Sequence, residues 1–180
     1  MPTTVVPLGD LREWLGVEVG QQHDDLLTAL EARAVDQVGK LCHLRLAASA
    51  SVTEYQNGNG SYVLWLDYPA TAVGSVSTRN YITDAWSALS STVYELDGRK
   101  LYGLDVWPEG LRNVKVVYTA GYSAPLSTSI PRDVYQLILD YCKHMYREGR
   151  VMSQEDLSLD GWMRQPFVAQ TLGRYARPLL

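Results

Sequence analysis

The sequence predicts an α+β fold, a helical body with an antiparallel β insert and an extended C-terminal arm. Three observations predict it. Apolar residues recur at helical spacing near both ends of residues 1–150, strand-like alternation and turn signals fill residues 51–120, and no sustained period follows residue 150. We therefore expect one domain at 1–150 followed by an arm at 151–180.

Two helices are predicted before the insert. They span residues 8–16 and 24–46, and the longer one carries an apolar stripe made of Leu27, Leu30, Ala34, Val38 and Leu41. Gly39 lies inside this second helix, where glycine is unfavourable by about 1 kcal/mol relative to alanine. A close helix contact would explain its presence there.

The insert is predicted from its strand runs and turn residues. In "SVTEYQNGNGSYVLWL" two strand-like runs flank an Asn-Gly-Asn-Gly segment, which favours a β-hairpin. A strand is expected at residues 73–78 and a second hairpin turning at Asp97-Gly98. In the last strand Val114, Val116 and Tyr118 alternate with Lys115 and Val117.

A third, long helix is predicted at residues 131–149. Its apolar stripe consists of Val134, Leu137, Ile138, Tyr141, Cys142 and Met145. The preceding segment "TAGYSAPLSTSIP" lacks the lysine, nucleophile or glycine spacing of a phosphate-binding or catalytic loop. We interpret it as a hinge between insert and helix, formed by Gly121, Tyr122 and Pro131.

The arm is apolar and basic. From residue 162 to the end it contains no acidic side chain. A merely solvated tail would be poorer in aromatic residues, so docking onto another protein is expected, with packing back on its own domain as the alternative. The residues proposed to make the contact are Trp162, Arg164, Phe167, Arg174, Tyr175, Arg177, Leu179 and Leu180.

No catalytic, metal or cofactor site is predicted. His43 follows Cys42 directly and His144 lies two residues after Cys142, whereas helical metal pairs are three or four residues apart. The cysteines are expected to be small buried hydrophobes. The formal charge of −4 disfavours a general nucleic-acid-binding face. Without an apolar run of about 20 residues or a secretory leader, a soluble, non-exported protein is expected.

The order of the segments resembles a known family. "LREWLGV", "HDDLLTALEARAVDQV", "VTEYQNGNGSYVLWLDYPATAVGSVS", "YELDGRKLYG", "WPEGLRNVKVVYTAGY" and "IPRDVYQLILDYCKHMYREG" follow one another as in the head-to-tail connector, or adaptor, proteins of tailed bacteriophages. The resemblance covers roughly residues 8–150 and is carried by the order of the pieces more than by any single one. The last thirty residues match only in general character.

The resemblance implies a non-enzymatic virion protein at the head-tail interface, made in the host bacterial cytoplasm. Such a protein forms a homo-oligomeric ring, with twelve subunits as the family expectation, under the portal protein. The ring extends the channel through which viral DNA passes without sequence-specific binding, and it offers a platform to a stopper or tail-completion protein. The C-terminal arm would reach the portal, and no membrane is involved.

Three other functions are compatible with parts of the sequence. A stopper or tail-completion protein of the neck is the nearest alternative, although such proteins are usually smaller and mostly β. An aromatic-rich module that binds a nucleic acid or a carbohydrate is a second. A hydrolase is a third, and it would need a cluster of titratable groups that the sequence does not suggest.

Overall fold

A computed structural model describes residues 4–18, 21–123, 125–151 and 159–175. The chain divides into two compact units, a helical unit formed by residues 1–48 and 122–180 and a β unit formed by residues 49–121. Helices and antiparallel sheets are both present, so the predicted α+β class is confirmed.

The helical unit contains the predicted helices with shifted ends. Its described helices are α1 (Leu8–Leu15), α2 (Gln21–Cys42), α3 (Leu126–Ser129), α4 (Arg132–Val151), α5 (Leu159–Met163) and α6 (Pro166–Tyr175). The one-turn helix α3 lies in the segment interpreted as a hinge, where no helix was predicted.

The second helix ends four residues before its predicted end at residue 46, because the chain reverses at His43. This residue adopts the left-handed conformation with a φ of 51°, and its N–H donates to the Lys40 carbonyl at 3.2 Å. The Leu44 N–H donates to the Gly39 carbonyl at 2.9 Å, which completes a helix-ending motif. A Cβ at Gly39 would lie 3.0 Å from the Leu44 carbonyl oxygen. The glycine therefore accommodates this reversal rather than a close contact with another helix.

The core of the helical unit is formed by the predicted stripes of α2 and α4. Val5 and Val6 near the N-terminus also belong to this core. The buried carboxylate of Glu31 holds their backbone in place, because it accepts hydrogen bonds from the Val5 and Val6 N–H groups at 2.7 and 3.1 Å. Fully buried members of this core include Leu11, Leu27, Ala34, Val38, Cys42, Val134, Leu137, Ile138, Cys142 and Trp162.

The β unit contains two antiparallel sheets. Its strands are β1 (Ala50–Gly58), β2 (Val63–Trp65), β3 (Ala70–Thr78), β4 (Ser87–Ala88), β5 (Tyr94–Asp97), β6 (Lys100–Gly103) and β7 (Gly110–Ala120). One sheet has the order β1-β7-β3-β4 and the other β2-β6-β5. The predicted turn at Asp97-Gly98 is confirmed, because Asp97 pairs with Lys100 and Gly98 has a φ of 57°. The inward alternation of Val114, Val116 and Tyr118 is confirmed as well.

The predicted hairpin at Asn57–Gly60 is wrong. Strand β1 pairs with β7, and β2 pairs with β6 in the other sheet. The competing interaction is local: the Gly58 N–H donates to Asn113 Oδ1 at 2.7 Å, and Asn113 Nδ2 donates to the Pro108 carbonyl at 2.7 Å. The Gly58 backbone lies so close to that carbonyl that a Cβ would overlap it. The Asn-Gly segment therefore packs onto the chain before β7 instead of folding β2 back on β1.

A buried carboxylate links the four-stranded sheet to the segment that follows β2. Glu54 of β1 accepts a hydrogen bond from the Tyr118 hydroxyl at 2.6 Å and from the Asp67 N–H at 3.1 Å, and the Gln56 side-chain amide also contacts it. Burial and, next, the hydrogen bond to Glu54 raise the pKa of the Tyr118 phenol well above its usual range. The phenol therefore stays a neutral donor at neutral pH.

Among the described residues, no helix has both the length and the apolar character needed to span a bilayer.

Candidate interaction surfaces

The described part of the C-terminal arm is helical, so the structure differs here from the expected extended conformation. Helices α5 and α6 belong to the helical unit, and Trp162 of α5 is fully buried in its core. The Trp162 ring lies 4.6 Å from the Tyr141 ring of α4, tilted by 53°. On α6, Val168 and Thr171 are also buried. Residues 159–175 therefore pack on the chain's own domain, which is the alternative to docking that the sequence leaves open.

A polar contact fixes the end of α6 to the start of α4. The Tyr175 hydroxyl donates to Asp133 Oδ1 at 2.9 Å, and an Arg174 guanidinium nitrogen lies 3.6 Å from the other carboxylate oxygen. Burial and, next, the bond to Asp133 raise the pKa of the Tyr175 phenol above its usual range, so the donor stays protonated at neutral pH. The Arg174 side chain is largely exposed, so its ion pair adds little stability.

The predicted arm residues therefore fall into three groups. Trp162 and Tyr175 are engaged within the helical unit. Arg164 and Arg174 are exposed, and Phe167 is 42% exposed. The rest, Arg177, Leu179 and Leu180, lie outside the described residues. The accessible surface of the described arm thus carries the Phe167 ring and the Arg174 guanidinium on α6 and the Arg164 guanidinium in the turn between α5 and α6.

Two of the three residues interpreted as a hinge, Gly121 and Tyr122, lie at the boundary between the units, whereas Pro131 lies inside the helical unit. That boundary falls between residues 48 and 49 and again between residues 121 and 122. Gly121 has a φ of 113°, a conformation that favours glycine. The Tyr122 N–H donates to the Ala47 carbonyl at 3.0 Å, and Tyr122 forms a parallel bridge with Ala48. Pro131 precedes α4, and its carbonyl accepts the helix's first hydrogen bond, from Tyr135. That the chain bends at Gly121 and Tyr122, as the word hinge implies, stays a proposal.

The β unit carries a surface cluster that sequence reasoning missed. We call it the cation–aromatic cluster and define it as Tyr55, Arg79, Trp86 and Arg112. The two rings lie 5.7 Å apart, tilted by 45°. The Arg79 guanidinium carbon lies 4.3 Å from the Trp86 ring centre, and that of Arg112 lies 5.2 Å from the Tyr55 ring centre. Both distances are within the range of a cation–π contact.

Backbone geometry holds the cluster in place. Arg112 has a φ of 49°, and its N–H donates to Asn57 Oδ1 at 2.8 Å. Its carbonyl accepts from Arg79 Nε at 3.3 Å and Nη2 at 3.0 Å, while Arg79 Nη1 donates to the Ile82 carbonyl at 2.6 Å. Most of the Arg79 donors are therefore used to hold the backbone at Arg112 and Ile82 in place. The Arg112 guanidinium lies over the Tyr55 ring. A left-handed arginine of this kind costs on the order of 1–3 kcal/mol, which the surrounding contacts offset.

Exposed apolar side chains extend this surface. Tyr81 is 73% exposed, Ile82 59% and Leu111 68%. The sequence contained one signal, because Tyr55 sits at an outward position of β1 and Trp86 in a loop. Both positions are compatible with an accessible aromatic side chain, and in the structure Tyr55 is exposed and Trp86 half-buried.

The residues considered for chemistry are separated or buried. Cys42 and Cys142 are free and fully buried, as predicted, and burial, as the main cause, raises the pKa of each thiol to about 12. Such thiols are neither nucleophiles nor metal ligands at neutral pH. Among the described residues, no group of three or more His, Cys, Asp or Glu side chains is placed to hold a metal ion.

Comparison with known proteins gives matches among solved structures. Neither a protein-family model nor a curated protein matches the chain significantly. A chain in the neck of an empty gene transfer agent (GTA) particle, computed with C6 symmetry, matches with a TM-score of 0.69 and 16% identity over 99% of this chain and 93% of that one. A chain in the virion of a native GTA particle matches with a TM-score of 0.67 and 17% identity over 99% and 94%. A chain in the neck of a native GTA particle, computed with C12 symmetry, matches with a TM-score of 0.65 and 16% identity over 99% and 93%.

These likenesses extend over nearly the full length of each partner, so no large domain of the neighbours lacks a counterpart here. At such low identity they show a shared fold.

Proposed function

We propose that this protein is a structural component of the neck of a tailed phage or phage-like particle, in the role of the head-to-tail adaptor. One observation carries the proposal: the fold, matched over 99% of the chain, is that of chains in the neck and virion of GTA particles. The segment order that resembles the phage connector family supports it independently, since that resemblance rests on sequence. The protein is accordingly proposed to act without catalysis or cofactor, in the virion.

The proposed assembly is a ring under the portal protein. Necks treated with C6 and C12 symmetry contain the matched chains, which supports a ring of twelve subunits for this protein. A ring extends the DNA channel, and a chain of net charge −4 suits a channel wall, because phosphates are held by Lys and Arg and repelled by carboxylates. Viral DNA then slides through without sequence-specific binding.

The adaptor role is favoured over the stopper role by the layout of the chain. The helical unit is built from both ends of the sequence, and the β unit is inserted between them. This is the helix–insert–helix order that carries the family resemblance, whereas stopper proteins are mostly β. The stopper or tail-completion protein is then a partner on the other side of the ring.

The exposed part of the arm is proposed to contact the portal. Phe167, Arg164 and Arg174 supply an aromatic anchor and guanidinium donors, residue types that dominate binding energy at interfaces. Arg177, Leu179 and Leu180 continue the same composition outside the described residues. Trp162 and Tyr175 hold the two arm helices on the helical unit, through the Tyr141 ring and the Asp133 carboxylate respectively. Deleting residues 162–180 is therefore a poor test, because it would remove the core residue Trp162.

Two sets of point variants test the proposal. The chain is expressed with the portal protein of its own particle, and the complex is weighed by native mass spectrometry. A ring-sized species bound to portal is expected for the unmodified chain. The double variant Arg164→Glu with Phe167→Ser should lose portal binding while keeping its helical circular dichroism.

A matched variant controls for the loss of exposed side chains. Leu26→Ser with Arg33→Glu removes an exposed apolar residue and reverses an exposed arginine on α2, and we expect portal binding to persist. Failure of the unmodified chain to bind portal would contradict the adaptor role. Equal binding by both double variants would contradict only the arm contact.

A further inference from the structure

We propose that the cation–aromatic cluster is one half of a head-to-tail contact between copies of this chain, and that the acidic edge of the second sheet is the other half. The inference rests on the proposed ring and names the surfaces that would close it. A ring of identical subunits needs two different, complementary surfaces on each copy. The β unit carries two surfaces of opposite charge on its two sheets.

The basic surface lies on the four-stranded sheet. Lys115 of β7 pairs directly with Tyr55 of β1, so its ammonium group belongs to the same outward face as the cluster. Within the described residues, neither Arg79, Arg112 nor Lys115 forms an ion pair with a carboxylate. Arg112 and Lys115 therefore present charges without a carboxylate partner inside the described chain, next to exposed aromatic surface.

The acidic surface lies on the three-stranded sheet. Strand β5 is an edge strand, and its burial pattern points Glu95 and Asp97 outward. The loop that follows β6 starts beside the residue that precedes β5, because the Leu104 N–H donates to the Val93 carbonyl at 2.9 Å. This loop adds the exposed carboxylate of Asp105. Leu104 and Val106, which flank Asp105, are 70% and 48% exposed, so apolar side chains surround the negative charge here as well.

Charge and composition argue for a second copy as the occupant. Lys100 lies opposite Asp97 and compensates it in part, which leaves Glu95 and Asp105 as the carboxylates available to another molecule. Tyr, Trp and Arg are the residues enriched at binding hot spots, and opposed charges fix the partner and the register of a contact. Duplex DNA is the other anionic occupant to consider, and it is disfavoured by the acidic surface on the same unit.

Charge-swapped variants of the full chain test the contact. Arg112→Glu with Lys115→Glu makes the basic surface acidic, and Glu95→Lys with Asp105→Lys makes the acidic surface basic. Arg79 is left in place because it braces the Arg112 carbonyl. Each double variant alone should self-associate at least about tenfold more weakly than the unmodified chain in sedimentation velocity. A mixture of the two should regain association, because every contact in an alternating assembly then joins opposite charges.

Several results would overturn the contact. The first is that the Arg112→Glu, Lys115→Glu variant self-associates as strongly as the unmodified chain. The second is that the mixture of the two variants does not regain association. The third is that the unmodified chain is monomeric at about 1 mM. Loss of duplex DNA binding with unchanged self-association would assign the surface to nucleic acid instead. Arg33→Glu, an exposed charge reversal on α2, should behave as the unmodified chain, and circular dichroism verifies that every variant is folded.

The portal assay separates this inference from the function on which it rests. If the charge-swapped variants still form rings on portal, the contact is wrong and the adaptor role stands. If the unmodified chain self-associates but never binds portal, the adaptor role is wrong and the contact stands.

Discussion

Replacing Trp162 with alanine tests whether the described arm is part of the folded core. Trp162 is the largest side chain that is fully buried among the described residues, and its ring packs 4.6 Å from Tyr141. A buried tryptophan covers about 150–250 Å², which at about 25 cal/mol per Å² corresponds to roughly 4–6 kcal/mol of transfer free energy. Since alanine retains part of this area and the site relaxes partially, we expect the free energy of unfolding to fall by about 3–5 kcal/mol.

Urea denaturation of the full chain measures this loss. The matched control is Phe167→Ala, an aromatic truncation at a position that is 42% exposed, for which a loss of less than about 1 kcal/mol is expected. Trp162→Phe should lose less than the alanine variant, because Trp162 Nε1 has no hydrogen-bond partner among the described residues. Hydrogen exchange reports whether α5 and α6 open before the rest. If Trp162→Ala were as mild as Phe167→Ala, the docked arm would be refuted.

Three further changes have defined outcomes. Gly58→Ala should lower the melting temperature of the β unit by several degrees, since its Cβ would overlap the Pro108 carbonyl; an unchanged melting curve would contradict the close approach. Burial, outweighing two backbone hydrogen bonds, raises the pKa of Glu31, so the folded state binds its proton more tightly and stability should fall as pH rises from 4.5. Glu31→Gln should flatten that fall in pH-dependent melting, and a profile identical to that of the unmodified chain would contradict it. Cys42 and Cys142, whose pKa values burial raises to about 12, should react with iodoacetamide at pH 8 only in denaturant; rapid labelling of the folded chain would exclude their burial.

Elements with a single dominant signal were predictable from the sequence. The stripe of α4 predicts its buried face because only a helix places those residues together. The turn at Asp97-Gly98 was predictable because glycine supplies the positive φ that the hairpin requires.

Elements decided by distant residues were not predictable. The Asn-Gly-Asn-Gly segment has the local preference of a hairpin, yet Asn113 binds the Gly58 N–H from 55 positions away. No propensity scale contains that contact. The prediction of an extended arm was wrong for a different reason. Val168, Leu172 and Tyr175 do repeat at helical spacing, but the same face of the helix includes Thr171, a polar residue that the fold buries.

The two candidate surfaces also differ in whether the sequence alone could predict them. Arm composition led to the prediction that Phe167 and the nearby arginines contact a partner, and that prediction needs no knowledge of the fold. The cation–aromatic cluster joins residues from β1, from β7 and from the ends of β3 and β4, so its members became neighbours only through strand pairing. Its key conformation, the left-handed Arg112, has no sequence signal, since arginine is not a residue that favours positive φ.

The pairing of β1 with β7 sets the order in which the protein can fold. Ala50 pairs with Ala120, and α2 packs against α4, so each unit closes through residues far apart in the chain. Contacts of such long sequence separation form slowly, and synthesis delivers the N-terminal partner first. The nascent chain therefore carries the apolar stripe of α2 and the unpaired edges of β1 uncovered while the residues between β1 and β7 are made. Both units then complete within a short interval of synthesis, and a chaperone that covers α2 and β1 during that wait would raise the yield of folded chains.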